Sequence, residues 1–335
     1  MTDSVNFQPG ESLLELKAAE GMESRLRFNE PLSSHCSLRV GGPAAVWAEV
    51  ETADELGRLV EIARAEGLEL SVVGLGSNTL FPDEGIGGIV MRLGGELADR
   101  HIEPMDDDTA QMHIGAGAIN AHVVRASHKA GYVGAEFLAL IPGTFGGAVA
   151  LNAGTKECEL SEVLIDADVA VPEGGGLVRH TLDVEDLSLS YRHSKLPAEA
   201  IVIGGRIRVQ RGDVDAAREA VRRDKARRNR TQPYKLASVG STFANPEGDW
   251  AGRVIEEVGL KGKAIGGARV SPLHANFFIN ENDATAEDFL RLMALARCRV
   301  RKRFGIELRP EVRFVGFDGH ERLRQFERQW EEQGC

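Results

Sequence analysis

Three glycine-dense turns set the strongest limit on what this chain can fold into. Arg39-Val40-Gly41-Gly42-Pro43, Gly74-Leu75-Gly76-Ser77-Asn78-Thr79 and Gly143-Thr144-Phe145-Gly146-Gly147-Ala148 lie within about 110 residues of one another. Glycine admits backbone conformations closed to other residues and lets a second group approach the main chain. The turn at 74–79 follows a strand but lacks the third glycine of a dinucleotide fingerprint. Arg92 stands in the region where an acidic partner is usual, so a standard Rossmann reading is weak. No Gly-Lys-Ser/Thr occurs, which excludes a P-loop. Read alone, the 74–79 loop is a tight strand-to-strand turn before it is a phosphate nest. The second turn shifts that balance: it follows the apolar run Phe137 to Ile141 and couples the rigid Pro142 to glycines. With Arg39 adding a cation beside the first turn, the three together point to one extended phosphate-bearing ligand.

Around these turns the pattern alternates between strand and helix. Ala44 to Val50 reads as a strand. Thr52 and Glu55 form a capping-box pattern ahead of Leu56, Leu59, Val60 and Ala63 at helical spacing. Leu68 to Val73 and Ile89 to Leu93 read as further strands, completing an α/β unit of about 70 residues. A second unit begins near Ala110, with a strand over 111–115, a helix over 119–129, and strands near 163–171, 176–183 and 201–209. The character changes after Arg211. A charged helix over 214–230, a short helix around Ala251 to Val258, a strand over 274–280 and a capped helix from Thr285 make a separate lobe.

The expected organisation is an N-terminal arm (1–27), a first subdomain (28–100), a second (101–212), a lobe (213–308), a returning strand (309–317) and a tail (318–335). The arm is expected to lie outside the main fold, and the tail to be a polar, frayed helix.

The chain has 335 residues, 40 basic and 51 acidic, for a net charge of −11. Such a surface repels nucleic acid. The run Arg222, Arg223, Lys225, Arg227, Arg228 and Arg230 is interleaved with Glu219 and Asp224, and reads as a solvated helix face. No signal-peptide core and no transmembrane run occurs. The four cysteines, Cys36, Cys158, Cys298 and Cys335, are too far apart in sequence to suggest a metal knuckle or redox pair. They fit a reducing cytoplasm, and no metal is expected.

Three isolated polar residues suggest chemistry. Ser241, in Val239-Gly240-Ser241-Thr242-Phe243, has no histidine beside it to make it a nucleophile, so a proton-donor role suits it better. Arg192 lies in Tyr191-Arg192-His193-Ser194, and Glu311 in Pro310-Glu311-Val312-Arg313-Phe314. A hydroxyl, a guanidinium and a carboxylate suit the stabilisation and protonation of an enolate. On spacing alone Arg192 reads equally as a surface ion pair, Glu311 as a residue at a strand turn and Ser241 as a loop hydroxyl.

The segments Pro31–Pro43 (PLSSHCSLRVGGP), Gly74–Leu80 (GLGSNTL), Ile141–Gly154 (IPGTFGGAVALNAG), Tyr191–Ser194 (YRHS), Gly240–Pro246 (GSTFANP), Ala251–Gly262 (AGRVIEEVGLKG), Ile265–Asn280 (IGGARVSPLHANFFIN) and Pro310–Phe314 (PEVRF) decide between these readings. In this order, over about residues 28–315, they resemble the UDP-N-acetylenolpyruvoylglucosamine reductases, flavoenzymes of peptidoglycan precursor synthesis. Cys36-Ser37-Leu38 departs from the family's common threonine, threonine and phenylalanine, and Phe145 replaces a smaller residue. Both changes leave the backbone cradle intact. Only 49 positions separate Arg192 from Ser241, which resembles the subclass without a tyrosine-bearing loop insertion.

The resemblance implies an α+β fold, with a two-subdomain FAD-binding module of the vanillyl-alcohol-oxidase type and a smaller α/β substrate-binding lobe. It implies FAD as cofactor and NADPH as hydride-donating co-substrate, with reduction of the enolpyruvyl ether of a UDP-sugar in a cytoplasmic monomer. FAD is expected at Arg39, Gly41, Gly74, Leu75, Gly76, Ser77, Asn78, Thr79, Gly143, Thr144, Gly146, Gly147, Ala148, Asn152 and Arg313. Substrate is expected at Tyr191, Asn245, Lys261, Arg269 and His274, with Arg192, Ser241 and Glu311 catalytic. The rivals are an alcohol oxidase on the same module, which needs a base where Ser241 and Glu311 offer acids, and a non-catalytic flavin-binding protein. Reduction of bound flavin by NADPH rather than by an alcohol discriminates them.

Overall fold

The computed structural model describes residues 7–19, 21–174 and 176–335. The first subdomain is a four-stranded sheet in the order Leu26–Pro31, Pro43–Val50, Ile86–Leu93, Leu70–Val72. Its last three strands run parallel, joined through the helix Ala53–Ala65. Thr52 caps that helix through the Glu55 N–H. The Glu55 carboxylate, instead of closing a capping box, takes Arg25 and the Glu51 N–H. Only half of the expected motif therefore forms, because a cation from the preceding segment competes for the glutamate.

The second subdomain is antiparallel. Its strands run in the order Gly176–Asp183, Leu164–Glu173, Ile201–Arg211, Thr109–Gly115, Arg100–Pro104, with the short Tyr132–Val133 also pairing the 201–211 strand. Both subdomains share one apolar core that includes Val46, Met91, Met112 and Phe145. Phe145 is fully buried, and its ring lies where a side chain on Gly205 would stand, so the larger residue is fitted against a glycine on the facing strand.

The lobe has its own antiparallel sheet, Ala237–Ser241, Phe277–Asn280, Ala268–Val270 and Ala264–Ile265, packed on the helix Ala286–Phe304. Thr285 and Asp288 cap that helix reciprocally, and Gly305 ends it at φ +70°. The helix Val214–Thr231 buries no residue and carries Asp215–Arg218, Glu219–Arg222 and Asp224–Arg227 pairs at i,i+3, a solvated face.

Three expectations are corrected. The N-terminal segment is not a detached arm. Glu11–Ala18 is a helix whose Leu13 and Leu16 are fully buried in the core, each worth about 1.5–3 kcal/mol by area. The tail is not frayed. Gly319–Glu332 is an amphipathic helix docked on Ala286–Phe304, with Arg297 bonded to Glu327 and the Trp330 indole N–H donating to the Arg291 carbonyl (3.0 Å). Its Arg322 also bonds Glu84 of the first subdomain. Finally, Cys298 and Cys335 form a disulfide across this docking, with Cα atoms 6.3 Å apart. Separation in sequence concealed a pairing that depends on the tail folding back. Cys36 and Cys158 are free thiols.

Candidate active site

The glycine turns converge. A Cβ on Gly74 would stand 2.6 Å from Thr144 Oγ1, and one on Gly76 2.2 Å from the His35 carbonyl. The second turn therefore closes on the third, and on the segment just ahead of the first, at spacings only glycine permits. Gly76 (φ +61°) and Gly143 (φ +145°) also take backbone angles that suit glycine. Ser77 Oγ donates to the Pro142 carbonyl (2.7 Å), and Ser37 Oγ donates to the Ser238 carbonyl (2.7 Å), tying the segment ahead of the first turn to the lobe. Thr144 is buried and begins the helix Phe145–Ala150, whose Ala148 N–H donates to the Thr144 carbonyl.

Beside these turns is a cavity of about 700 Å³ between the subdomains, within the ordinary span of ligand sites. Gly74, Thr144, Gly146, Gly147 and Arg313 line it, with Ile201 and Val202 from the second sheet. A second cavity of about 330 Å³ lies on the other side of the same loops, between Leu75, Pro142, Gly143 and the helix residues Lys225, Arg228 and Asn229. Leu75 and Gly143 thus face the second cavity, while Gly74 and Gly147 face the first. Arg39 is exposed at φ +57°, and Gly41 packs against Phe81. Thr79 pairs with Arg313 in a short parallel ladder, which brings the 309–317 segment onto the cofactor module.

Two of the three candidate catalytic residues, Arg192 and Glu311, meet at that segment, and the strand that ends at Ser241 runs beside it. Arg192 Nε donates to Glu311 Oε1 at 2.8 Å, and Arg192 Nη2 donates to the Gly154 carbonyl at 3.1 Å. The Glu311 N–H donates to the Thr242 carbonyl (2.9 Å), so the strand bearing Ser241 lies alongside Glu311. Asn78 Nδ2 donates to the Glu311 carbonyl (2.9 Å). A continuous run of bonds thus joins Thr242, Glu311, Asn78, Ser77 and Pro142. The pairing of Ala237–Ser241 with Phe277–Asn280 slips between Ser238 and Ser241, where Gly240 has φ +76°. A bulge of this kind re-aims the next side chain. Thr242 is 1% exposed and held in the core, while the preceding Ser241 is half-buried.

Burial pushes the Glu311 carboxyl up from its ordinary range, against the opposing pull of Arg192 and Arg309. Arg192 takes φ +58° in a turn closed by reciprocal Ser190–His193 bonds and anchored by Ser194 Oγ on the Val149 carbonyl. Its guanidinium stacks 4.8 Å from the Tyr191 ring, which is exposed.

The other expected residues divide. Asn152 is 1% exposed, and its amide is engaged by Glu159, Ser190 and the Ser161 N–H, so it builds the loop under Arg192. Asn245 accepts from the Ala251 N–H (3.1 Å) at the start of the helix Ala251–Glu257. His274 packs on that helix at Gly252 and accepts from the Asn276 N–H (3.2 Å). Burial, then Lys261, lowers its pKa. Lys261 pairs with Glu256 (3.0 Å). Arg269 pairs with Glu281 (2.7 Å) on the lobe sheet, its charge already balanced. Two residues escaped the sequence reading, Glu159 and the buried Asn120, whose Nδ2 donates to the Ile141 carbonyl. Neither stands in a spacing that signals chemistry.

Comparison with known proteins fits this geometry. The profile of the UDP-N-acetylenolpyruvoylglucosamine reductase C-terminal domain matches residues 232–315, and that of an FAD binding domain matches residues 43–179. A UDP-N-acetylenolpyruvoylglucosamine reductase from Anaeromyxobacter dehalogenans is 44% identical over 85% of this chain and 84% of its own. The chain belongs to the UDP-N-acetylenolpyruvoylglucosamine reductase family. A Myxococcus xanthus reductase is 40% identical over 87% of this chain and 92% of its own. The solved structure of the Thermus caldophilus reductase superposes with a TM-score of 0.71 at 34% identity, covering 86% of this chain and 97% of that one. The protein is thus an FAD-dependent oxidoreductase with the family's reductase activity, built as an FAD-binding module plus a lobe. Among the described residues no helix is long and apolar enough to cross a membrane, and no cluster fits a metal.

The residues present fit FAD on physical grounds. The cleft is lined by glycines, of which Gly74 and Gly146 let its walls pack against Thr144 and Ala116, and the loops offer backbone N–H groups and hydroxyls of the kind that hold a pyrophosphate.

Proposed function

We propose that this reductase takes its hydride from NADPH and that Ser241, Arg192 and Glu311 carry out the protein's share of the chemistry. FAD, when bound, supplies a carrier that accepts hydride from a nicotinamide and passes it to the terminal carbon of the enolpyruvyl ether. Gly74 to Thr79, Gly143, Thr144, Gly146, Gly147, Ala148 and Arg313 hold it, with Arg39 and Gly41 at the edge. Negative charge then develops on the adjacent carbon and its carboxylate. Arg192 and a protonated Glu311 donate hydrogen bonds to that enolate, each fixed donor being worth several kcal/mol in a water-poor site. Ser241 delivers a proton to the carbanion carbon and recovers one from solvent. A hydroxyl is a weak acid, so this requires the positive potential of Arg192 nearby.

Tyr191, Asn245, Lys261 and His274 bind the UDP-sugar. Arg269 joins them by exchanging Glu281 for a phosphate, as Lys261 does by exchanging Glu256. The short Arg192-to-Ser241 spacing fits the subclass without the tyrosine loop, and we read the protein as a cytoplasmic monomer, in which the Cys298–Cys335 link is one that a reducing cytoplasm opens.

The observation that carries this reading is the 2.8 Å Arg192–Glu311 pair lying against the strand that presents Ser241. The test is an absorption spectrum of the purified, FAD-loaded protein. Addition of NADPH is expected to bleach the flavin band, and addition of the enolpyruvyl UDP-sugar without oxygen to restore it. A flavin bleached by an alcohol and not by NADPH would overturn the proposal.

A further inference from the structure

Arg192 serves two carboxylates. Besides Glu311, its Nη1 lies 3.9 Å from Glu159 Oε1, and Nη1 is buried without a hydrogen-bond partner. Glu159 is held in place by three groups. Asn152 Nδ2 donates to Glu159 Oε2 (3.1 Å), and the same amide nitrogen bonds the Ser190 carbonyl of the Arg192 turn. Glu159 also accepts from the Glu162 N–H in a capping box, with Glu162 Oε1 accepting from the Glu159 N–H. Asn152 itself sits at φ +39°, a conformation that asparagine tolerates better than most residues. The loop 152–162 thus aims one carboxylate at the guanidinium that Glu311 also engages.

We infer that Glu159 is a positioning residue: it provides Arg192's standing counter-charge, so that Glu311 is free to keep its proton and donate a hydrogen bond to the enolate. This deepens the proposed function and rests on that reading of Arg192 and Glu311. The charge count supports it. One half-buried guanidinium between two ionised carboxylates leaves an excess negative charge that only the exposed, solvent-screened Arg309 offsets, and a proton on Glu311 removes it. Arg192 reaches Glu311 through Oε1 alone, which leaves Oε2 for the proton. The groups facing Glu311 are Arg192 and, from its own segment, Arg309. Those around the Glu159 loop are Glu162, Cys158 and Glu136.

Glu159→Gln removes the charge and keeps one oxygen, which can still accept from the Asn152 amide. Arg192 is then balanced only by an ionised Glu311, so the carboxyl loses its proton at lower pH. In the FAD-loaded full chain, the rate of reoxidation by the enolpyruvyl UDP-sugar is measured against pH after reduction with NADPH. The fall on the alkaline side is expected to move down by about one pH unit, a loss that approaches about ten-fold above the parent's inflection and shrinks as pH falls. Glu159→Asp keeps the charge and is expected to keep the parent's inflection. A parent-like inflection in Glu159→Gln overturns the inference, as does an equal shift in both variants.

A second readout needs no substrate: the Glu311 carboxyl, followed by carbon NMR titration, should lose its proton at lower pH in Glu159→Gln than in the parent. Should the enolpyruvyl sugar nucleotide fail to reoxidise the parent, the functional reading falls, while this titration still decides the role of Glu159. An unchanged titration overturns it.

Discussion

A close approach between two cofactor loops gives a prediction whose size can be worked from the structure. Gly74 has no positive φ, so alanine is free of backbone strain there, and the cost of Gly74→Ala is steric alone. The new methyl would stand 2.6 Å from Thr144 Oγ1, 3.4 Å from Cγ2 and 3.5 Å from Cβ. The first separation requires movement, because Thr144 is buried at the start of the helix Phe145–Ala150 and its carbonyl is bonded to Ala148. Overpacking of this kind costs about 1–3 kcal/mol. If the strain falls on the ligand-bound arrangement of the loops, FAD affinity drops by roughly 5- to 150-fold, since 1.4 kcal/mol is ten-fold.

Titration of the apoprotein with FAD, followed by quenching of flavin fluorescence, measures that loss. The double variant Gly74→Ala/Thr144→Ala leaves only the Cβ contact at 3.5 Å, an ordinary distance, and is expected to bind more tightly than Gly74→Ala alone. Parent-like affinity in Gly74→Ala, or no recovery in the double variant, would refute the reasoning.

The remaining predictions concern the tail, the lobe and the proton-bearing carboxyl. The Cys298–Cys335 link spans 37 residues, and closing a loop of that length is worth about 4 kcal/mol in the chain-entropy account. Cys335→Ser should lose up to that amount in urea denaturation, and added reductant should destabilise the parent but not the variant. His274 has a depressed pKa, so its contribution to stability is present above the unfolded value near 6.5 and is lost as pH falls through the folded value. His274→Gln should therefore flatten the fall in denaturation midpoint between pH 7 and 5. Glu311→Ala, which removes the donor, should slow reoxidation by the enolpyruvyl UDP-sugar by about 10²- to 10³-fold and leave flavin reduction by NADPH near the parent rate, read by stopped-flow absorbance.

Much of this site was legible because its parts are local. Glycine turns, the Gly240-Ser241 step and the Thr285–Asp288 cap each announce themselves within a few residues, and hydrophobic spacing located most strands and helices near their observed limits. What escaped was tertiary. Leu13 and Leu16 look like ordinary apolar positions in a polar segment, and only the core shows that they are covered. Cys335 finds Cys298 because a largely polar helix docks through one apolar edge and several arginine–glutamate bonds. Asn152 resembles a ligand contact in sequence, yet its amide is consumed by three partners inside the protein. Glu159 reaches Arg192 only because those two loops are pinned together.

The most direct test of the central claim is a double-mixing experiment on Ser241→Ala. The FAD-loaded variant is reduced with NADPH, then mixed with the enolpyruvyl UDP-sugar without oxygen, and the flavin band is followed in each phase. Reduction at the parent rate followed by reoxidation slowed at least ~100-fold is the result expected of a proton donor. Equal slowing of both phases, or unimpaired reoxidation, would contradict it.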